Sequence, residues 1–101
     1  MNVHCVGKLL KVSEIPELTA VNSGAFRESM TEAMRDSPTT VEIDLSKTRF
    51  MDSSGLGALF SLYRTAGVLR GTTLRLLNPT SEVQQLLELT QMQQLFEIVK
   101  R

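Results

Sequence analysis

The apolar residues of this chain change period several times, and that alternation limits the fold more than any other feature. Across "TVEIDLS", Val41, Ile43 and Leu45 alternate with Glu42 and Asp44, the two-residue period of a strand with one buried face. Leu56, Leu59, Phe60 and Tyr63 then recur at i, i+3, i+4 and i+7, which predicts a helix running to about Gly67. "TTLRLLN" returns to a strand pattern and ends at Asn78-Pro79. Thr80 or Ser81 caps a further helix with an apolar stripe of Val83, Leu86 and Leu87, and Ser81 with Gln84 resembles a capping box. A last apolar run, "LFEIV", predicts a short final strand.

Upstream, "VHCVGKLLKV" holds two β-favouring runs around Gly7-Lys8, a hairpin pattern. Pro16 closes that region because it has no N–H to give to a ladder. From Asn22 or Ser23, "NSGAFRESMTEAMRDSP" places Phe26, Met30 and Ala33 at helical spacing, and Pro38 stops the helix. The expected order is two strands, then helix and strand three times over. Strands alternating with helices of this length imply parallel pairs joined by right-handed crossovers. The expectation is therefore an α/β fold: one domain over 1–101, with a mixed β-sheet and about three main helices packed against it.

Composition narrows the function. At 101 residues and 42% apolar the chain can bury a core without disulfides or metal. Eleven basic residues balance eleven acidic ones with no basic block, so no direct nucleic-acid partner is expected. The single cysteine, Cys5, excludes an internal disulfide and a cysteine zinc cluster; it reads as a small buried hydrophobe in a reducing compartment. No apolar run reaches the ~18 residues a membrane span needs. A secretory signal pattern is also missing from the N-terminus, so a cytoplasmic location is expected. The five methionines sit mostly on helical stripes and read as core packing.

"FMDSSGLGAL", residues 50–59, places an acid, two serines and two glycines where a strand gives way to a helix. A nucleophilic serine enzyme needs a base, and the one histidine, His4, stands near the N-terminus, where a solvated or strand-edge role is expected. Gly55-Leu56-Gly57 is a fragment of a dinucleotide fingerprint without its third glycine, and no Gly-Lys-Ser/Thr phosphate loop occurs. No catalytic residue, cofactor or metal is therefore expected.

Ser53 or Ser54 stands at an N-cap position, where a hydroxyl satisfies one orphan N–H for about 1 kcal/mol. A plain cap needs neither two hydroxyls nor Gly55 and Gly57, each of which costs up to about 1 kcal/mol against alanine inside a helix. Glycines there let another backbone come close or let the helix sit tight on the sheet. One hydroxyl is then free at the positive end of a helix, where an anion gains about 0.3–1 kcal/mol. A phosphate of about −1.5 to −2 charge would act chiefly on whatever docks there, repelling a partner fitted to the bare hydroxyl or attracting one with a waiting arginine. Asp52 already makes the place acidic. These residues alone leave the sign of the switch open.

"VEIDLSKTRFMDSSGLGAL" resembles the core signature of STAS domains, specifically the bacterial anti-sigma factor antagonists. The resemblance extends to "ELTAVNSGAFRESM" and "LRLLNPTSEVQQLLELTQMQQLFEI". It implies that Ser53 is the phosphoacceptor, with Ser54 the second choice, and that Asp52, Ser53, Ser54, Gly55, Leu56 and Gly57 form the partner-binding segment. It further implies that the unphosphorylated form binds an anti-sigma factor that is also a serine kinase, freeing a sigma factor. Phosphorylation would break that complex, and a metal-dependent, PP2C-like serine phosphatase would restore it. Many family members carry Gly-Glu-Leu-Asp before the first helix, where this chain has Pro16-Glu17-Leu18-Thr19, so a partner contact by that aspartate is not carried over. The alternative is a constitutive docking subunit of a larger complex, such as a lipid-transport ATPase. Arg64 and Arg70 are candidate contacts on the second helix to which the sequence assigns no role.

Overall fold

The computed structural model describes residues 1–69 and 71–101. Arg70 lies outside the described residues. The hairpin forms as expected: β1 (Asn2–Val6) runs antiparallel to β2 (Leu9–Ser13), and Gly7 supplies the positive φ of 60° that the turn requires. β3 (Glu17–Leu18) follows Pro16 directly, so the proline separates two strands instead of closing the strand region. The remaining elements are α1 (Ser23–Ala33), β4 (Thr40–Asp44), β5 (Phe50–Met51), α2 (Ser53–Leu69), β6 (Thr73–Leu77) and α3 (Ser81–Leu89). A single 3-10 turn (Met92–Gln94) leads into β7 (Glu97–Val99).

The main sheet has the order β1-β2-β4-β6-β7. Among the described residues only the β1–β2 pair is antiparallel; β4 pairs in parallel with β2 and β6, and β7 in parallel with β6, making the mixed sheet that the alternation implies. The strand register lines up Leu10, Val41 and Leu74, and beside them Val12, Ile43 and Leu76. Period-two pleating sends both rows to one face. There they join Phe26 and Met30 of α1, Leu59 and Leu62 of α2, and Val83 and Leu87 of α3 in one buried cluster. The three helices thus share a core on a single side of the sheet.

Several local expectations change. The buried stripe of α2 is Gly55, Leu56, Ala58, Leu59, Leu62 and Ala66, and the helix continues to Leu69. Phe60 and Tyr63 are exposed, their rings stacked 6.2 Å apart, so the expected stripe lay one side off the true one. Small residues, Gly55 and Ala58, hold the buried face because the helix sits close to its neighbours there. Thr80 caps α3 by accepting from the Val83 N–H at 3.4 Å; Ser81 is the first helical residue and does not form a capping box. α1 ends at Ala33, ahead of Pro38. Cys5 is exposed on β1, correcting the buried-hydrophobe expectation, because no helix covers that edge strand.

The opposite face of the sheet carries charge. Glu42, which the alternation assigned to solvent, is buried to 5% exposure. Two guanidiniums roof it: Arg101 at 3.0 Å and Arg75 at 3.7 Å, and Arg75 also reaches Glu97 at 3.2 Å. An uncovered sheet face buries a carboxylate here because long cationic side chains, Arg75 from β6 and Arg101 from the segment after β7, fold over it.

Candidate functional site

The loop after β4 is built to deliver β5 and the start of α2 to one end of the sheet. Asp44 accepts from the Ser46 N–H at 2.9 Å and turns the chain, while Leu45 N–H donates to the Leu77 carbonyl at 2.9 Å. Thr48 is fully buried; its hydroxyl donates to the Ile15 carbonyl at 2.6 Å, and its own carbonyl accepts from the Thr80 hydroxyl at 3.0 Å. These bonds tie the loop to β2's exit on one side and to α3's cap on the other. β5 then pairs in parallel with β3, Glu17 beside Phe50 and Leu18 beside Met51. Neither two-residue strand carries enough pattern to be read from sequence.

Asp52 organises the junction between β5 and α2. Its N–H donates to the Leu18 carbonyl at 3.3 Å, ending the short ladder. Its Oδ1 accepts from the Gly55 N–H and its Oδ2 from the Ala20 N–H, each at 3.0 Å. The Gly55 bond is an N-cap, so Asp52 caps α2 and neither serine does, correcting the expectation. The Gly55 N–H first, then the Ala20 N–H, hold the Asp52 carboxyl below its ordinary pKa, because both bonds favour the charged form.

With the cap supplied by Asp52, Ser53 is the first helical residue and is exposed, whereas Ser54 is half-buried. The α2 N-terminus carries the positive end of a 17-residue helix, partly answered already by the Asp52 carboxylate. A phosphate on Ser53 would stand beside that fixed negative charge and face solvent. Gly55 and Leu56 are buried, while Gly57 is exposed. A Cβ on Gly55 would collide with the Leu18 backbone, its carbonyl carbon lying at 2.8 Å, so this glycine serves the close approach of α2 to β3. Nothing lies within 4 Å of the Cβ position of Gly57.

Residues before α1 and on β5 complete the surroundings. The Asn22 side chain accepts from the Thr19 N–H at 2.8 Å and donates to the Glu17 carbonyl at 2.7 Å, and the Thr19 hydroxyl accepts from the Val21 N–H at 3.3 Å. Thr19 therefore closes its own turn. Val21, next to the latched Ala20, is 88% exposed, and Phe50, two residues before Asp52, is 67% exposed. Two large apolar side chains, one next to the Ala20 that Asp52 holds and one two residues before Asp52, are thus exposed. His4 is exposed on edge strand β1 opposite Lys11, and Arg64 is exposed on α2.

A family model for the STAS domain matches residues 2–101. The chain belongs to the STAS-domain family. Solved structures agree in fold. A likeness to an anti-sigma factor antagonist from Thermotoga maritima has a TM-score of 0.91 at 19% identity, covering 99% of this STAS domain and 86% of that chain. A likeness to an anti-sigma factor antagonist from Mycobacterium paratuberculosis has a TM-score of 0.79 at 26% identity, covering 97% and 82%. The unphosphorylated anti-sigma factor antagonist SpoIIAA matches with a TM-score of 0.76 at 21% identity, covering 96% and 85%. The phosphorylated form of the Bacillus cell fate determinant SpoIIAA matches with a TM-score of 0.69 at 20% identity, covering 96% and 88%. No curated protein matches this sequence. Among the described residues, no helix is long and apolar enough to cross a membrane.

Proposed function

We propose that this STAS domain is a phosphorylation-switched anti-sigma factor antagonist acting in the cytoplasm as a single domain, with Ser53 the phosphoacceptor and no catalysis of its own. Unphosphorylated, it binds an anti-sigma factor that is also a serine kinase and so frees a sigma factor. Phosphate on Ser53 breaks that complex, and a metal-dependent serine phosphatase restores it. The observation that carries this reading is the division of labour at the start of α2: Asp52 caps the helix, which leaves the neighbouring Ser53 hydroxyl exposed and spare. Supporting it, structures of similar fold include an anti-sigma factor antagonist in phosphorylated form.

The sign of the switch is the one the family resemblance implies, and the charges at that place support it. A partner seated on Val21, Phe50 and a bare hydroxyl makes an apolar contact around one small polar group. Adding about −1.5 to −2 charge beside the Asp52 carboxylate brings repulsion and desolvation into that contact. A cost of about 3 kcal/mol lowers affinity roughly a hundredfold.

Calorimetric titration of a switch-type anti-sigma kinase tests this, using the unmodified chain, the Ser53-phosphorylated chain and Ser53→Ala. The unmodified chain and Ser53→Ala are expected to bind alike and the phosphorylated chain roughly a hundredfold more weakly. Equal affinity for all three contradicts the reading.

A further inference from the structure

The face of the main sheet turned away from the helices holds a cleft of about 300 Å³, lined by Lys11, Ser13, Glu42, Asp44, Asn78 and Arg101. That volume is at the small end of ligand sites. The cleft lies where the parallel strands end: Ser13 closes β2, Asp44 closes β4, and Asn78 follows the last residue of β6. Period-two pleating puts Lys11 and Ser13 on the same face as Glu42 and Asp44, because Lys11 pairs with Glu42 in register.

The charges around the cleft cancel only in part. Glu42 is met by Arg101 at 3.0 Å and by Arg75 at 3.7 Å, and Arg75 also meets Glu97 at 3.2 Å. Glu42 and Glu97 thus answer Arg75 and Arg101. Lys11 and Asp44 are left over, and among the described residues neither forms an ion pair. The register neighbours of Lys11 are Glu42, already committed to the arginines, and His4, which carries no negative charge. Asp44 spends one oxygen on the Ser46 N–H at 2.9 Å and keeps the other. One strand over and two residues along, Lys11 and Asp44 stand roughly 8 Å apart at Cα.

Neutral polar groups are held beside this uncancelled pair. Asn78 has a left-handed φ of 50°, and its N–H donates to the Val99 carbonyl at 2.8 Å. Its Oδ1 accepts from the Arg101 N–H at 2.8 Å, which fixes the carboxamide and leaves its Nδ2 hydrogens to donate. Ser13 adds a hydroxyl.

We propose that this cleft binds a free α-amino acid, its carboxylate on Lys11 and its ammonium on Asp44, with Ser13 and Asn78 completing its hydrogen bonds. Charge complementarity selects the ligand. A simple anion would satisfy Lys11 and meet Asp44; a simple cation would satisfy Asp44 and meet Lys11. A small dipolar ion answers both with charge-assisted hydrogen bonds. The site uses none of the residues at the start of α2.

The test is an NMR titration of the isotope-labelled full chain at neutral pH with each of the common amino acids. The tightest binder is then compared with its decarboxylated amine and its deaminated carboxylic acid. At least one amino acid should give saturable amide shifts at Lys11, Ser13, Asp44 and Asn78, with a dissociation constant of about 1 mM or below. Both single-charge analogues should bind at least about tenfold more weakly. Lys11→Met and Asp44→Asn should each weaken the amino acid by a similar factor with thermal unfolding unchanged; the asparagine keeps an acceptor for the Ser46 N–H. No saturable shift with any amino acid up to about 10 mM overturns the proposal. So does a single-charge analogue that binds as tightly as the amino acid, or binding indifferent to both substitutions.

Discussion

Asp52 accepts the backbone N–H of Ala20 at 3.0 Å across 32 residues of sequence, fastening the segment before α1 to the start of α2. One carboxylate therefore does two things. It caps the helix that carries Ser53, and it holds Ala20, the residue before the exposed Val21.

The first prediction concerns that carboxylate. Its folded pKa is depressed by the Gly55 and Ala20 amides, so it contributes stability above the ordinary aspartate pKa of about 3.9 that is lost as pH falls through the depressed folded value. Asp52→Asn keeps a capping side chain but removes that titration. Acid unfolding curves should show wild type losing stability relative to Asp52→Asn below about pH 4. Parallel curves through that range would show that the carboxylate contributes nothing.

Gly55 and Gly57 should separate cleanly. In Gly55→Ala the new methyl meets the Leu18 backbone, which cannot rotate away, so overpacking should cost about 1–3 kcal/mol despite alanine's better helix propensity. Gly57→Ala meets open space and should be neutral or stabilising by up to about 1 kcal/mol. Thermal unfolding of the two variants checks the contrast.

Most of the fold was legible because strongly periodic segments with large apolar residues leave little choice. Val41, Ile43, Leu74 and Leu76 could form only one face of a sheet, and Phe26 with Met30 only one face of a helix. What escaped was decided by close approach or by very short elements. β3 and β5 are two residues each and exist because Asp52 and Arg49 donate their N–H groups to Leu18 and Pro16 across the chain. The α2 stripe shifted because Gly55 and Ala58 face inward where the helix crowds β3, and small residues leave no mark on a hydrophobicity pattern. The site was legible as a motif, but not in its roles. Asp52 stood in plain view, yet a serine is an equally good cap, and only geometry separates them. The exposed Val21 and Phe50 gave no signal at all, since exposed apolar residues look like core residues in sequence.

Glu42 offers a stability test far from Ser53. Glu42→Ala leaves Arg75 and Arg101 without their shared acceptor. Because both arginines are partly exposed, the loss should be about 1–2 kcal/mol, below the cost of breaking a fully buried pair. Denaturant unfolding measures it, and partner affinity should not change.

Val21→Asp and Phe50→Asp should leave stability within about 0.5 kcal/mol of wild type, since both side chains are exposed. Both should weaken binding of a switch-type anti-sigma kinase. Unchanged affinity in both would remove these residues from the docking surface.

The most direct measurement is the position of the phosphate. The chain is incubated with a switch-type serine kinase and Mg-ATP, and the product is mapped by peptide mass spectrometry. The expected product carries one phosphate, on Ser53, with none transferred to Ser53→Ala. Phosphate on the half-buried Ser54, or transfer that persists undiminished in Ser53→Ala, would contradict a switch at Ser53.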